Sequence, residues 1–474
     1  MRYISTRDRR PQPRTVSFEE VLLTGLADDG GLYVPDHLPP LAPDKLDELG
    51  RSPYAKVASH ILGLFAGDAF AKDELYRFAE QAYRGFRHAA VTPLVQLDHG
   101  LWLLELFHGP TLAFKDLALQ LLGLLFEAAL ARKNEHLTII GATSGDTGSA
   151  ALDACRNREA IDIFIFYPHD RISEVQRRQM TTVASTNAHA IAVEGTFDDC
   201  QDLVKALFTD AQLREDLNLA AINSINWARI AAQTVYYFVA ATALGAPDRK
   251  VAFSVPTGNF GNVYAGHIAR GMGLPIERLV IGTNRNDILA RYIGTGDMTI
   301  APVEPSLSPS MDIQVSSNFE RLLFELKGCS GVEVSEAIAE FRRTGILPRA
   351  EREWRAAQGL FSAHGVDDAT TVQIMANIYK RSGILIDPHT AVAVGAARAE
   401  LEVRRSAAPM VALASAHPAK FPDAVERATG IRPALPAALA DLFERRERIT
   451  ILPKDQDAVT RYLRTHARRS KRAA

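Results

Sequence analysis

Residues 137–150, with the sequence LTIIGATSGDTGSA, place a short apolar strand, a glycine-rich turn and the start of a helix in direct succession. Small residues in the turn let the backbone approach a ligand, and free amides at the helix start suit a carboxylate or a phosphate. The turn has neither the Gly-Lys-Ser/Thr ending of a P-loop nor the GxGxxG spacing, which disfavours a nucleotide-binding protein. The alternative interpretation is an ordinary tight turn in which Ser144 or Asp146 caps the helix.

From residue 91 onward, short β-branched apolar runs alternate with longer helical patterns. The predicted strands are 137–141, 161–167, 188–193, 251–255, 279–283 and 410–414. The predicted helices are 114–132, 147–156, 171–186, 198–213, 227–244 and 262–272. This alternation predicts the α/β class, with a mostly parallel sheet covered by helices on both faces. In such sheets, ligands bind beyond the carboxyl ends of the strands.

The chain has 474 residues, which is too long for one simple core, so we predict several regions. The predicted division is a separate N-terminal region at 1–95, a first α/β lobe at 96–220, a second lobe at 221–430 with a helical insertion at about 295–382, and a C-terminal helical tail at 431–474. Residues 294–317 are rich in Gly, Pro and Ser, and we predict that they form a lid or a binding loop.

The composition excludes several classes of partner. The chain has 54 Lys and Arg against 56 Asp and Glu, so its formal net charge of -2 does not attract nucleic acid or an anionic membrane. The basic run at 468–472 is interpreted as a solvated tail. The three cysteines form no CxxC pair, so we predict neither a disulfide framework nor a bound metal. With no signal-like apolar run at the N-terminus, these features indicate a cytoplasmic protein.

Lys115 stands in an unusual place, within the stretch FHGPTLAFKD at 107–116. Phe114 and Leu117 favour its desolvation, and the positive end of the helix that begins beside it adds repulsion. Both effects favour the neutral amine, the form that attacks carbonyls. The alternative is a lysine that extends its ammonium to water, while Asp116 is expected to be a favourable charge in the first turn.

Two further motifs follow predicted strands. The sequence PTGNFGN at 256–262 offers a concave run of amides that suits a phosphate dianion, although it can also be a simple glycine-rich turn. The sequence LASAHPAKF at 413–421 carries a hydroxyl, an imidazole and an ammonium group, which can hold a heteroaromatic nitrogen and an anionic substrate group. Its alternative interpretation is a helix cap with solvated neighbours. A buried lysine, a phosphate cradle, a second anion loop and this hydroxyl together indicate pyridoxal 5′-phosphate.

The motifs at 108–116, 143–148, 256–262 and 416–421 resemble the threonine synthase family, as do the segments 1–7, 30–35 and 223–229. The resemblance extends from the start of the chain to about residue 430 and fits the longer subgroup of bacteria and fungi. It implies the tryptophan-synthase-β-like fold of pyridoxal phosphate enzymes (fold type II), with two α/β lobes. It also implies a lyase of amino-acid biosynthesis that makes L-threonine and phosphate from O-phospho-L-homoserine and water by β,γ-elimination and β-hydration.

The resemblance implies cofactor-binding roles for the matched residues. Lys115 matches the lysine that forms the Schiff base and moves protons along the substrate. Asp146 lies where the family approaches the cofactor's 3′-oxygen, and Ser415 matches the hydroxyl beside the pyridine nitrogen. The loop that binds the cofactor phosphate matches Gly258, Asn259, Phe260, Gly261 and Asn262.

The substrate-binding residues follow in the same way. Ser144, Asp146 and Thr147 are expected to bind the substrate carboxylate with amides and hydroxyls. For the leaving phosphate we nominate Lys420, His417 and Arg229.

Two rival functions stay open at this point. A phospho-lyase on the same scaffold would eliminate phosphate and release a 2-oxo acid without adding water at Cβ. A non-catalytic relative would keep the fold as a binding protein, although the presence of Lys115 argues against that reading.

Overall fold

The computed structural model describes residues 1–222 and 224–468. Asn223 of the 223–229 motif and residues 469–472 of the predicted basic tail lie outside this described part. The described chain is an α/β protein whose strands form a five-stranded and a six-stranded sheet, together with two small hairpin sheets. None of its described helices is long and apolar enough to cross a membrane.

The strands are numbered in chain order. They are β1 (Tyr3–Ser5), β2 (Tyr33–Pro35), β3 (Leu94–Asp98), β4 (Leu101–Glu105), β5 (Leu137–Ala142), β6 (Ile161–Pro168), β7 (Ala188–Glu194), β8 (Leu219–Ala221), β9 (Val251–Pro256), β10 (Ile276–Thr283), β11 (Met298–Thr299), β12 (Ile346–Leu347), β13 (Phe361–Gly365), β14 (Met410–Ala414) and β15 (Thr450–Pro453).

The helices are numbered in the same way. They are α1 (Phe18–Thr24), α2 (Pro43–Gly50), α3 (Tyr54–Ala66), α4 (Lys72–Tyr83), α5 (Lys115–Lys133), α6 (Asp146–Cys155), α7 (Glu174–Thr181), α8 (Phe197–Thr209), α9 (Ala211–Leu217), α10 (Trp227–Ala243), α11 (Gly261–Gly271), α12 (Ile288–Thr295), α13 (Phe319–Leu326), α14 (Gly331–Thr344), α15 (Glu351–Leu360), α16 (Asp368–Ser382), α17 (Pro388–Val403), α18 (Pro422–Thr429) and α19 (Gln456–His466). Short 3-10 turns occupy Gly67–Ala69, Pro309–Met311, Pro418–Lys420 and Ala437–Leu439.

The five-stranded sheet has the order β15-β7-β6-β5-β8, and all of its strand pairs are parallel. Its central strand β6 is buried at every position, which fits a continuous apolar run covered by helices on both faces. Because the strands are parallel, their carboxyl ends form one edge of the sheet, and the turn after β5 and the start of α6 lie at that edge. This edge forms one wall of the cavity described below.

The six-stranded sheet has the order β13-β10-β9-β14-β4-β3. Its pairs are parallel apart from the antiparallel hairpin of β3 and β4. The helix α17 packs against β9, β10 and β14. The carboxyl ends of β9 and β14 therefore lie side by side, and the segments that follow them enter the same cavity.

All six predicted strands are present, with ends that differ by three residues or fewer. The helix predicted at 171–186 is only Glu174–Thr181 long, because a capping box at Ser173 starts it late. The helix predicted at 198–213 is divided at Asp210, whose side chain accepts a hydrogen bond from the Leu213 amide and starts α9.

The predicted division misses several long-range pairings. The insertion at 295–382 is not purely helical, since it supplies the edge strand β13, and the tail at 431–474 supplies β15 to the other sheet. The boundary at residue 95 cuts through β3, which belongs with β4 and β14. The N-terminal region shares its core with the rest, since Tyr3 and Phe65 pack on Trp227 at ring-centroid distances of 6.0 and 5.7 Å. Short edge strands lack a local periodicity that would identify them.

Candidate active site

A cavity of about 410 Å³ is bounded by the segments that follow β5, β9 and β14. This position matches the general rule that parallel sheets bind ligands beyond the carboxyl ends of their strands. The structure brings most of the predicted site residues together there. The cavity lining includes Lys115, Ser144, Asp146, Thr147, Arg229, Gly258, Asn259, Phe260, Gly261, Asn262 and Ser415.

Lys115 opens α5 and is held at the cavity wall by a contact between two loops. The Phe114 amide donates to the Ser415 carbonyl at 2.8 Å, and Ala113 forms an isolated β-bridge with Ala416. The segment that carries the lysine is thus joined to the end of β14. This contact places the amine and the Ser415 hydroxyl on the same cavity.

The amine of Lys115 is in an environment that favours its neutral form. The residue is only 8% exposed, and Nζ lies 3.3 Å from Asp146 Oδ2. Burial lowers the pKa of Lys115, the carboxylate of Asp146 opposes that shift, and the cations of Lys420 and Arg229 reinforce it. A lysine with a lowered pKa is a better nucleophile and a better general base near neutral pH.

Asp116 has a structural role that the sequence did not indicate. It is fully buried and accepts hydrogen bonds from the Thr111 amide at 2.8 Å and the Thr111 hydroxyl at 2.6 Å. A Cβ atom at Gly109 would lie 2.4 Å from the Asp116 Cβ, so the turn needs glycine there. Burial raises the pKa of Asp116 to about 7. Asp116 does lie in the first turn of α5, as expected, but it is buried there and closes the 109–116 loop.

Asp146 lies at the centre of a buried polar network. Its Oδ1 is 3.0 Å from Lys420 Nζ and accepts a hydrogen bond from Gln176 at 2.9 Å, while Oδ2 faces Lys115 and Ser310. Burial alone would raise the pKa of Asp146, but the ammonium groups of Lys420 and Lys115 outweigh it and hold the pKa well below its ordinary range. The carboxylate is therefore a fixed negative charge beside the amine.

The glycine-rich turn 143–148, called the anion loop below, is stabilised by the side chain of Thr143 and not by a helix cap at Ser144 or Asp146. The Thr143 hydroxyl accepts hydrogen bonds from the amides of Gly145 and Gly148, both at 2.9 Å. Two of the loop amides are therefore used internally. Ser144 and Thr147 line the cavity at the start of α6, where the positive end of the helix favours an anion.

The loop 258–262 lines the cavity, and two of its carbonyl groups are held by neighbouring segments. The Gly258 carbonyl accepts a hydrogen bond from the Ser316 hydroxyl at 2.7 Å. The Asn259 carbonyl accepts two from Asn318, at 3.1 Å from its amide and 2.9 Å from its side chain. In a trans peptide the next N–H points opposite the carbonyl, so the amides of Asn259 and Phe260 face away from these partners. The result is a set of donors suited to a phosphate.

Close packing fixes the shape of this cradle. A Cβ atom at Gly258 would lie 2.9 Å from the Ser310 carbonyl oxygen, so only glycine leaves room for the neighbouring loop. Asn262 has its side-chain oxygen tied to the hydroxyl groups of two buried tyrosines, Tyr236 at 2.6 Å and Tyr237 at 3.0 Å. Its side-chain oxygen is thus committed to the core.

Arg229 is a buried cation that forms no ion pair within the described part of the chain. It is 3% exposed and lines the cavity, and its Nε and Nη1 donate to no acceptor within residues 1–222 and 224–468. Burial lowers the pKa of Arg229 to about 10, which still leaves it charged at neutral pH. Unpaired buried charge is costly, so such a group indicates a site for an anionic ligand.

Comparison with known proteins decides the family. The threonine synthase N-terminal family matches residues 2–83, the pyridoxal-phosphate dependent enzyme family matches 86–349, and the threonine synthase C-terminal family matches 390–463. A threonine synthase of Pseudomonas aeruginosa is 53% identical over 99% of this chain and 100% of its own length. The chain belongs to the threonine synthase family.

Solved structures of threonine synthases agree with this assignment. The pyridoxal-phosphate-bound enzyme of Brucella melitensis has a TM-score of 0.95 and 48% identity, covering 99% of this chain and 100% of the other. The yeast enzyme has a TM-score of 0.91 and 38% identity, with 98% of each chain covered. The predicted fold type II and the predicted cofactor are thereby confirmed, and the chain is a pyridoxal phosphate enzyme.

The residues of the threonine synthase cavity fit this cofactor. A buried amine with a lowered pKa suits a bond to its carbonyl carbon, and the 258–262 cradle, which a side chain at Gly258 would fill, suits its phosphate. Ser415 is 6% exposed and presents a hydroxyl at the end of β14. Lys115 would hold the cofactor and the cradle its phosphate, while the cofactor stabilises negative charge on the substrate carbons.

Two of the nominated phosphate ligands do not line the cavity. Lys420 is fully buried, and its three donors are used by Asp146, the Thr111 carbonyl at 2.7 Å and Gln179 at 2.9 Å. Burial lowers the pKa of His417 to about 4, so its imidazole is neutral at neutral pH and packs against aromatic neighbours. The structure therefore places neither nominated side chain in the cavity lining: Lys420 pairs with Asp146, and the half-buried His417 packs against Phe107.

Sequence reasoning missed His389, which lies in the cavity wall at the start of α17. Its Nδ1 is 2.7 Å from Asp387, a fully buried carboxylate. The run Asp387-Pro388-His389 carries only the signal of a helix cap followed by proline, which does not reveal the direction of the imidazole. The predicted loop at 294–317 supplies Pro309, Ser310 and Met311 to the same cavity, although its role as a lid stays a prediction.

Proposed function

We propose that the chain is a threonine synthase that converts O-phospho-L-homoserine and water into L-threonine and phosphate. The observation that carries this proposal is the presence of a buried amine and a buried guanidinium in one cavity. Lys115 supplies an amine with a lowered pKa, and Arg229 supplies a guanidinium with unused donors. A phosphorylated amino acid needs both kinds of group, one for proton transfer near its α-carbon and one for its dianion.

Lys115 is the proton carrier of the proposed reaction. Its amine would hold the cofactor in the resting enzyme and would be free once the substrate is bound. The freed Nζ then takes the proton from Cα, moves a proton from Cβ to Cγ as phosphate leaves, and returns a proton to Cα at the end. Its lowered pKa suits this repeated exchange near neutral pH. Asp146, which stays ionised, keeps the amine oriented between these steps.

The anion loop is proposed to hold the substrate carboxylate. Ser144 and Thr147 offer hydroxyl groups, and the start of α6 adds a favourable field for negative charge. We propose that Asp146 also lies beside the cofactor's 3′-oxygen and that Ser415 faces its pyridine nitrogen. A hydroxyl is a weaker partner than a carboxylate, so the ring nitrogen would stay unprotonated.

Arg229 is the proposed site for the leaving phosphate. Its guanidinium has the planar donor geometry that binds phosphate through two parallel hydrogen bonds. Its burial strengthens such a contact because the local dielectric is low. Binding would also satisfy donors that have no acceptor within the described residues.

Replacing Arg229 with glutamine is expected to lower kcat/KM for phosphohomoserine by roughly 10–150-fold, the value of a hydrogen bond to a charged group (about 1.5–3 kcal/mol). Because the wild-type guanidinium is buried and unpaired, the variant should be at least as stable as the wild type. Steady-state kinetics and thermal unfolding measure the two effects. Inorganic phosphate should inhibit the wild type competitively and the variant much less.

The matched control is Arg84→Gln, which changes an exposed arginine just after α4 and should leave the kinetics unchanged. Arg229→Lys keeps the charge without the planar fork and should recover part of the activity. Equal phosphate inhibition of the wild type and Arg229→Gln would rule Arg229 out as the phosphate ligand.

The product formed from phosphohomoserine tests the proposed function directly. Threonine and phosphate in equal amounts are expected from the purified protein. Formation of 2-oxobutyrate without threonine would favour the phospho-lyase, in which water is not added at Cβ. Absence of any turnover would favour the binding protein, although the lowered pKa of Lys115 argues for catalysis. The proposal includes a cytoplasmic location, which is supported by three unpaired cysteines.

A further inference from the structure

We propose that His389 is the general base that activates the water added at Cβ, and that Asp387 positions it. This inference rests on the proposed function, since it assigns a residue to the step that separates a synthase from a phospho-lyase. Both residues lie at the start of α17, where Asp387 is the N-cap.

The contacts of Asp387 fix the orientation of the imidazole. Its Oδ2 accepts from the His389 amide at 3.0 Å and lies 2.7 Å from the His389 Nδ1. Its Oδ1 accepts from the amide of Thr390 at 3.1 Å and from the hydroxyl of the same residue. An ionised carboxylate accepts hydrogen bonds only, so Nδ1 carries the proton and the free lone pair of the neutral ring lies on Nε2. This is the arrangement by which a carboxylate prepares a histidine for proton transfer.

The second nitrogen of the ring, Nε2, is not used by any of the described residues. His389 is 4% exposed and belongs to the cavity wall, and within residues 1–222 and 224–468 its Nε2 has no hydrogen-bond partner. The far side of the ring packs on Phe421, with ring centroids 4.9 Å apart. A buried ring nitrogen without a partner is costly, and a polar group that enters the cavity is the natural partner for it.

The other groups that line the cavity are poorly suited to deprotonate water. Asp146 has a pKa held well below its ordinary range, so its carboxylate is a weak base. Arg229 remains protonated, and Lys115 is already used to carry protons among the substrate carbons. Lys205 also borders the cavity, but its side chain is 70% exposed and paired with Asp202. A neutral imidazole has the basicity that this step requires near neutral pH.

The addition of water at Cβ conserves atoms and charge. The water oxygen forms the Cβ–O bond with one of its lone pairs, and its proton passes to Nε2 of His389. The electron pair displaced from the Cα–Cβ double bond remains on the Cα side, stabilised by the cofactor, until Lys115 protonates Cα. His389 then releases its proton to solvent. This release offsets the proton that the departing phosphate gains when it becomes monohydrogen phosphate.

The test is the partition of products in the holoenzyme rather than the overall rate. His389→Gln should release phosphate and form 2-oxobutyrate, while its ratio of threonine to 2-oxobutyrate falls by about 10²-fold, the low end for the loss of a general base. Asp387→Asn keeps a residue that can cap α17 but no longer fixes the tautomer of His389. Its ratio of threonine to 2-oxobutyrate should therefore lie between those of the wild type and His389→Gln. The exposed His99→Gln is the matched control and should keep the wild-type ratio.

The visible absorbance of the bound cofactor should be the same in the wild type and these variants, because His389 is not proposed to hold it. If His389→Gln does not bind the cofactor, the ratio of threonine to 2-oxobutyrate in Asp387→Asn tests the proposal. A wild-type ratio in the variants, with both products reduced together, would overturn the proposal for His389 and leave the proposed function intact. If the wild type makes 2-oxobutyrate and no threonine, the proposed function fails and this inference fails with it.

Discussion

Changing Lys115 to alanine is expected to remove both the visible absorbance of the bound cofactor and turnover, with a loss in kcat of about 10²–10⁴-fold or more. The reason is that this amine is buried, has a lowered pKa and lines the cavity that is proposed to bind the cofactor. Absorption spectra of the purified protein and assays with phosphohomoserine measure the two losses. Lys115→Arg keeps a positive charge but should not recover either property, because a guanidinium does not form the covalent bond.

Lys205 provides the matched control for this experiment. It also borders the cavity, but its side chain is 70% exposed and pairs with Asp202 at 2.8 Å. Lys205→Ala should keep the absorbance and most of the activity. Full activity of Lys115→Ala would contradict the central assignment, whatever the behaviour of the control.

Changing Lys420 to methionine is expected to destabilise the protein by about 3–5 kcal/mol, the usual effect of breaking a buried ion pair by removing one partner. Lys420 is fully buried, and its ammonium binds Asp146, Gln179 and the carbonyl of Thr111. Its loss would leave the Asp146 carboxylate with Lys115 as its remaining cation and would raise the pKa of Asp146. Chemical denaturation of the variant and the wild type measures the difference.

The double variant Lys420→Met/Asp146→Asn separates the unpaired charge from the lost packing. Neutralising both partners should recover part of the stability, because the remaining buried carboxylate is the costly group. The exposed Lys250→Met is the control and should change stability by no more than about 0.5 kcal/mol. Equal stability of Lys420→Met and the wild type would show that the ion pair with Asp146 does not support the fold.

The parts of the fold that the sequence predicted are those with a strong local pattern. The strands β5, β6, β7, β9, β10 and β14 are apolar runs followed by turns and helices, and their local sequence is enough to identify them. The edge strands β13 and β15 are short and partly exposed, so they are strands only because a neighbour pairs with them. Pairing between distant segments is not encoded in local periodicity.

The site shows the same contrast. Lys115 and the loops 143–148 and 256–262 are contiguous motifs, because binding by backbone amides requires glycine and small residues next to one another. Lys420 and His417 looked equally available in the sequence, yet neither lines the cavity. Contacts with α7 and the 109–116 loop bury Lys420, and the half-buried His417 packs against Phe107. His389 gave no signal because its role depends on which way one imidazole points.

The sequence by itself determined the α/β class and the cofactor, and it predicted the lysine that would hold this cofactor and a cradle for its phosphate, since each of these depends on adjacent residues. The tertiary structure decided which charges are paired and which are free. Asp146 and Lys420 form a buried ion pair, whereas Arg229 has two donor atoms, and His389 a ring nitrogen, without a partner among the described residues. That difference arises because burial and partners come from segments far apart in the chain, and they determine whether a charged side chain supports the fold or binds a substrate.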